Sequence, residues 1–472
     1  MNVLIIFLIR GIISIKICIV GEKDMQKKKM NVKMSHVQII ALGFFLIIMT
    51  GTILLMLPVS TKNGQGACFL DAVFTATSAS CVTGLVVQDT STYWSSFGQA
   101  VILTMIQIGG LGFMTIATMF FMLLRKRVHL RGRELLTESI SVNQVGGIMR
   151  LAKKILVGTF LIEGIGALLL MIRFVPLYGK QGIWMSVFHS VSAFCNGGFD
   201  LMGQHTGPYS SLSAFTNDWL VNIVIMALIV IGGVGFVVWD DMLTHKWKLK
   251  RYHLHSKIVL FMSTVLIFGG AVLFLIVERN ATGAGLSIGD QILAALFDSV
   301  TARTAGFNTV DTAALSDAGK LLTIALMFIG GSPGSTAGGV KTTTIMVLML
   351  YSFSYMRKDR STSVFGRSLE DDALRKASAV FFTNLMLALG VTIAISAIQP
   401  LPMLDLMFET FSAIGTVGMS TGLTRDLNSI SRVLIIFLMY CGRVGSLSFA
   451  NALAGKRKTA PVRDAVEKIT IG

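Results

Sequence analysis

Long apolar runs alternate with short polar ones along this 472-residue chain, and the whole alternation repeats four times. Each unit opens with an apolar stretch, passes through a segment too short to cross a membrane, and closes with a second apolar stretch. The opening stretches cover about 37–57, 151–175, 257–277 and 377–398, and the closing ones about 99–124, 219–239, 321–351 and 433–450. A helix needs ~20 residues to cross a ~30 Å hydrocarbon core, which each stretch supplies or nearly supplies. The short segments between them align on one another: PheThrAlaThrSerAlaSerCys (74–81), PheHisSerValSerAlaPheCys (188–195), PheAspSerValThrAla (297–302) and PheGluThrPheSerAla (408–413). They predict short helices that enter the membrane and return. The predicted fold is an all-α membrane protein of four membrane–pore-loop–membrane repeats, with eight transmembrane helices and four re-entrant pore helices around a central pore.

Immediately after each short segment stands a glycine motif: CysValThrGlyLeu (81–85), CysAsnGlyGlyPhe (195–199), ArgThrAlaGlyPhe (303–307) and GlyThrValGlyMet (415–419). The glycines are Gly84, Gly198, Gly306 and Gly418, in steps of 114, 108 and 112 residues, the signature of one unit copied four times. Phenylalanine lies ten residues before the glycine in repeats one, two and four, and nine before it in repeat three, so the third copy has lost a residue. Irregular backbone is tolerated at membrane depth only where it lines a polar cavity. A short helix ending at the motif aims its partially negative end at that cavity, which favours a cation. Carbonyls of the residues that follow can replace the water of a desolvated ion. The candidate selectivity filter is therefore Val82, Thr83, Gly84, Asn196, Gly197, Gly198, Thr304, Ala305, Gly306, Thr416, Val417 and Gly418, with a cation held at backbone carbonyls only. Glycine-containing turns between helices are the plainer reading of any single motif, and four in register argue against it.

The closing stretches share a second echo: IleGlyGlyLeuGlyPhe (108–113), IleGlyGlyValGlyPhe (231–236), IleGlyGlySerProGlySer (329–335) and CysGlyArgValGlySer (441–446). Small residues there let helices approach closely, and packing is the expected role of the first two. The third is too rich in glycine and hydroxyls to stay helical over 330–344, and Pro333 removes a backbone donor. A broken helix beneath the filter predicts a gate of Gly330, Gly331, Ser332, Pro333, Gly334, Ser335, Thr336, Ala337, Gly338, Gly339 and Lys341. The string also resembles a phosphate-binding loop, but Val340 separates the last glycine from Lys341 and no strand precedes it. Arg443 is a lone cation in an apolar stretch and needs a partner. Carbonyls or hydroxyls of the broken third segment are the expected one, making Arg443 the latch.

Composition changes the picture only by confirming the solvent. With 53% hydrophobic and 14% charged residues and a mean hydropathy of +0.71, the chain belongs in lipid. The net charge of +16 falls on segments 125–133, 246–257 and 357–376 and on the tail from Lys456, which are alternate connections and thus cytoplasmic. Both termini then face the cytoplasm, and nucleic acid is no partner. The five cysteines lack CxxC spacing, so neither a disulfide framework nor a zinc site is indicated. The chain divides into a leader (1–36), repeats at 37–133, 134–250, 251–376 and 377–455, and a tail (456–472). Residues 1–24 match no part of the repeat and read as a signal anchor, an interfacial helix or, preferably, translation from too early a start. A carrier with alternating access would show paired or inverted repeats. A membrane-embedded enzyme would need convergent acids or histidines, whereas the seven histidines are dispersed and His189 reads as structural.

On ValThrGlyLeu, GlyGlyPhe, ThrAlaGlyPheAsnThr, ThrValGlyMetSerThrGlyLeu and GlySerProGlySerThrAlaGlyGlyValLysThrThr, the chain resembles the Trk/Ktr/HKT superfamily of potassium transporters over about residues 37–455. The bacterial KtrB-like branch fits best, because the Trk branch usually carries two further N-terminal membrane helices. The resemblance implies filter glycines at Gly84, Gly198, Gly306 and Gly418, a gate-facing arginine at Arg443, and potassium passage without a cofactor in this chain. Glycine at 84, where sodium-preferring plant members tend to carry serine, favours K+, with Na+ stimulation or co-transport left open. It also implies a homodimer with one pore per protomer, in the membrane lipid of a bacterial cell, on a cytosolic ring of RCK-type nucleotide-binding subunits.

Overall fold

The computed structural model describes residues 36–112, 115–116, 134–137, 147–246, 248–358 and 362–445. Most of the expected leader, the basic segment at 125–133, the end of the last apolar stretch and the tail lie outside the described residues. Among those described, fourteen helices have ten residues or more. The first unit holds α1 (His36–Leu55), α2 (Phe69–Ser80) and α3 (Ser96–Leu111). The second holds α4 (Ile148–Tyr178), α5 (Lys180–Phe194), α6 (Trp219–Val234) and α7 (Phe236–His245). The third holds α8 (Leu254–Val277), α9 (Ile288–Thr301), α10 (Asp317–Phe328) and α11 (Thr342–Met356). The fourth holds α12 (Asp371–Ile398), α13 (Met403–Gly415) and α14 (Ser429–Val444).

In each unit the opening helix is the outer one. Four helices, covering 38–55, 148–178, 254–277 and 372–398, are long and apolar enough to cross a membrane. On α4, Val157, Phe160, Leu161, Ile165, Leu168 and Ile172 are exposed at helical spacing, and on α8 so are Phe261, Val265, Phe268, Val272 and Ile276. Such stripes are stable against lipid and not against water. The second helix of each unit is the inner one. Its aligned phenylalanine, Phe74, Phe188, Phe297 or Phe408, is fully buried and anchors it. The closing helices start alike: Ser95, Asp218, Ser316 and Asn428 each accept a hydrogen bond from a backbone amide of the first turn of α3, α6, α10 and α14. Caps of this kind each contribute about 1 kcal/mol.

The closing stretches differ from their sequence expectation. Among the described residues, the helix stops short in the first, second and fourth stretches as well, not only in the third. α3 stops at Gly112 (φ 79°), α6 at Gly235 (φ 103°) and α14 at Gly445 (φ 92°), whereas in the third copy α10 already ends at Phe328 and Gly334 (φ 64°) lies within the loop that follows. In the first, second and fourth copies the last glycine of the echo takes a backbone conformation that a Cβ disfavours, which ends the helix there. Between α6 and α7 the turn is 94°. The units close on one another through ion pairs at equivalent places: Arg432 of α14 lies 3.0 Å from Asp71 of α2, and Lys320 of α10 lies 2.8 Å from Asp405 of α13. The Tyr440 hydroxyl also donates to the Ala41 carbonyl at 2.6 Å, tying the last closing helix to the first opening one.

Candidate functional site

The inner helices deliver four short segments to one place. Immediately beyond each helix the backbone enters the left-handed region at a residue other than glycine: Val82 (φ 55°), Asn196 (58°), Thr304 (71°) and Thr416 (50°). Three of these are β-branched, and each such residue costs about 1 kcal/mol or more unless its surroundings hold it. Two residues on, Gly84, Gly198, Gly306 and Gly418 take φ of 94°, 68°, 84° and 95°. The surroundings that hold them are local. The Gly84 amide donates to Ser78 Oγ at 3.0 Å, and the Gly418 amide to Ser412 Oγ at 3.1 Å. Ser192 Oγ accepts from the Phe199 amide at 3.0 Å, and Thr301 Oγ1 donates to the Phe307 carbonyl.

Those four hydroxyls escaped the sequence reading, although a signal was there. Ser78, Ser192, Thr301 and Ser412 each lie four residues after the buried phenylalanine. Counting from them also locates the residue missing from the third copy. The Thr83, Gly197 and Val417 amides reach back five residues to the Ser78, Ser192 and Ser412 carbonyls, whereas the Ala305 amide reaches back four, to Thr301. The deletion is absorbed at the end of α9, so the third glycine still arrives in register.

The four glycines form a closed ring. A Cβ built on Gly84 would stand 2.7 Å from the Gly197 carbonyl oxygen, one on Gly198 2.9 Å from that of Ala305, and one on Gly306 2.5 Å from that of Val417. One on Gly418 would overlap the Thr83 carbonyl oxygen, which returns the sequence to its start. Glycine Cα atoms and the carbonyls of Thr83, Gly197, Ala305 and Val417 therefore alternate around one axis. The twelve sequence-assigned residues surround it, and Val82, Thr83, Asn196, Thr304, Ala305, Thr416 and Val417 are all buried. Thr83 Oγ1 and Thr416 Oγ1 are buried without a protein partner. Such a ring offers oxygen atoms and no side-chain charge, which suits transient ligation of a desolvated cation.

The segment 329–341 lies against the inner end of this ring. The Thr336 hydroxyl donates to the Asn196 Oδ1 and Phe194 O atoms, both at 3.2 Å, and Asn196 Nδ2 donates to Thr304 Oγ1 at 3.2 Å. A Cβ on Gly338 would overlap the Thr416 side chain, and one on Gly330 would sit 3.3 Å from that of Thr304. Repeat two grips the segment from the side. The Ser332 amide donates to Gly233 O at 3.1 Å, and the Phe236 amide to Gly334 O at 2.8 Å. Pro333, Ser335, Ala337 and Gly339 complete the turn, with Ser335 Oγ donating to Ser332 O at 2.7 Å. Lys341 Nζ donates to the Ala337 and Gly338 carbonyls at 2.7 and 3.1 Å, and the Gly331 carbonyl accepts from the Thr342 amide that opens α11. Arg443 donates through one nitrogen to the Thr336 carbonyl, the partner its isolation calls for, and through the other to Gly109 and Gly110. The contact with repeat one was not foreseen: nothing in the local sequence links positions 334 residues apart.

Apolar spanning helices wrapped around four buried, irregular backbone segments define a helical membrane transport protein. The chain belongs to the TrkH family of cation transport proteins, whose sequence profile matches residues 6–457. It is a transporter and not an enzyme. It is similar to the potassium/sodium uptake protein NtpJ of Enterococcus hirae, at 41% identity across 94% of this chain and 99% of that one. It is also similar to the Ktr system potassium uptake protein B of Bacillus subtilis, at 40% identity across 90% and 94% of the two chains. Among solved structures, the potassium transporter TrkH from Vibrio parahaemolyticus has the same fold, with a TM-score of 0.70 at 17% identity over 90% of this chain and 86% of that one.

Proposed function

We propose that this chain is the ion-translocating subunit of a bacterial potassium uptake system, passing K+ through the glycine–carbonyl ring and gated by the segment 330–344. The observation that carries the reading is the closed alternation of four glycines with four carbonyls, each glycine leaving the space that the next repeat's oxygen fills. A desolvated monovalent cation is the ligand for which such uncharged oxygens are suited. The potassium named in both relatives supports K+ as cargo, and the sodium named in one favours a second reading in which Na+ also passes.

In this reading the four units are membrane–pore–membrane repeats, giving eight crossings and four re-entrant helices. The basic connections set their orientation, with 250 and 367 cytoplasmic, 62 and 428 outside, and both termini inside. The loop at 330–344 obstructs the path when closed, and Arg443 latches it. Two copies assemble in the cell membrane, each with its own pore, on a cytosolic ring of nucleotide-binding RCK-type subunits. This chain needs no cofactor of its own.

Growth of a transport-deficient bacterium at limiting potassium tests the reading, with and without a co-expressed regulatory subunit. Rescue that follows external potassium, and is enhanced by the second subunit, is expected. No rescue at normal membrane abundance under either condition would refute it.

A further inference from the structure

α7 runs outward from the segment 329–341 to the rim of the molecule. At its start the Phe236 amide holds the Gly334 carbonyl, and the 94° turn between α6 and α7 takes the chain across the bundle. It passes between the outer helices α4 and α8 and is fastened to both. A Cβ on Gly158 of α4 would stand 3.2 Å from the Trp239 ring, and Asp240 pairs with Lys154 of α4 at 2.6 Å. On the other side the buried Asp241 accepts from the His253 amide at 3.0 Å and from the Ser256 hydroxyl at 2.5 Å. The exposed apolar stripes of α4 and α8 open at Val157 and Phe261, three residues past Lys154 and five past Ser256. α7 therefore lies at the level where the lipid-facing surface begins, which is the membrane interface.

The outer end of α7 and the turn after it carry two kinds of exposed side chain. Met242, Leu243 and Leu249 are apolar and uncovered, Leu243 at 67% and Leu249 at 60% exposure. Lys246, Lys248, Lys250 and Arg251 are exposed cations. The nearby acids are already engaged, Asp240 with Lys154 and Asp241 with His253 at 2.6 Å. Among the described residues, no carboxylate pairs with any of the four cations. The turn is nonetheless braced: the buried Tyr252 donates its hydroxyl to the Lys246 carbonyl, and Lys257 Nζ donates to the Lys250 carbonyl at 3.0 Å. Uncompensated charges and bare apolar side chains thus stand side by side at headgroup depth. A soluble anion or an acidic protein would answer the charges and leave the leucines in water, whereas a lipid answers both.

We propose that this face docks an anionic phospholipid, its phosphate among Lys246, Lys248, Lys250 and Arg251 and its acyl chains over Leu243 and Leu249. Basic side chains near an anionic lipid surface each add to the attraction, and apolar neighbours at the same depth anchor the pair. Because Phe236 opens the same helix, a lipid held at the rim steadies the grip on Gly334. That consequence rests on the loop acting as the gate, while the docking itself needs only a chain that spans the membrane.

The full-length protein in a neutral detergent, titrated with phosphatidylglycerol or with phosphatidylcholine of the same chain length, tests it through the thermal unfolding midpoint. A saturable rise with phosphatidylglycerol, larger than that with phosphatidylcholine, is expected. Its half-saturating concentration should increase at least ~10-fold in the combined variant Lys246→Gln, Lys248→Gln, Lys250→Gln and Arg251→Gln. Leu243→Asn with Leu249→Asn should weaken the response to a smaller extent. Should the combined variant fail to fold, a photoreactive phosphatidylglycerol crosslinked to the wild-type protein should label residues 242–251. Equal responses to the two lipids, a combined variant that keeps the lipid response whatever it loses of cytosolic partners, labelling only elsewhere, or an equal response to inorganic phosphate overturns the proposal. A lipid response that leaves basal flux in liposomes unchanged upholds the docking and removes only its link to the gate.

Discussion

Around the ring, every quarter contributes the same parts: a buried phenylalanine, a hydroxyl four residues on, a left-handed residue and a glycine. Beneath the ring, among the described residues, the third quarter contributes a loop, while the closing helices of the other three end at a single glycine. The ring parts are held within their own repeat, as with Ser412 and Gly418. The loop is held by repeats two and four, through Gly233, Thr416 and Arg443, and Arg443 in turn is tied to repeat one at Gly109. Ligating a small ion from all sides requires like contributions from each quarter, whereas obstructing one narrow path needs a single element. If, as proposed, the ring selects and the loop gates, the two functions should fail independently.

The largest expected effect comes from the ring. Gly84→Ser, Gly198→Ser, Gly306→Ser or Gly418→Ser places a Cβ against the next repeat's carbonyl and should lower the preference for potassium over sodium at least ~10-fold, as competitive uptake measures. Unaltered preference in all four variants would separate the ring from selectivity. Next, deleting Gly334–Gly339, or making Arg443→Ala, should raise basal cation flux several-fold and weaken control by the proposed cytosolic ring while leaving selectivity in place. A selectivity change as large as that of the ring variants would show that the two regions are one machine.

Gly235→Ala sharpens the contrast further. Its Cβ would meet the Pro333 carbonyl at 2.9 Å with φ at 103°, so it should destabilise the protein by about 1–3 kcal/mol and loosen the loop without touching the ring. Thermal unfolding and basal flux read the two effects. The smallest change is Ser412→Ala, which strands the Gly418 amide and should cost about 1–2 kcal/mol, with a modest fall in potassium preference. A loss of preference matching Gly418→Ser would make the hydroxyl a ligand and not a brace.

What could be read from the residues follows the same division. The ring glycines, the inner helices and the third break are periodic or compositional, so sequence spacing carries them. The breaks at Gly112 and Gly235 were taken for packing, and that at Gly445 was not foreseen, because an isolated glycine in an apolar run does not announce its φ. The grip of Gly232 and Gly233 on the loop, and of Arg443 on Gly109, joins distant residues through backbone atoms that every sequence shares.

The interlocking of the glycines bears on how the protein is made. Gly84 emerges early from the ribosome, yet the oxygens that complete its ring belong to residues as late as Val417, and the ion pair from Asp71 to Arg432 spans 361 positions. No nascent chain short of its fourth repeat can close the ring, because the Val417 carbonyl and Gly418 are still missing. Assembly of the ring is thus the closing step of biogenesis, and a chain truncated before residue 418 would insert its helices without acquiring the ring.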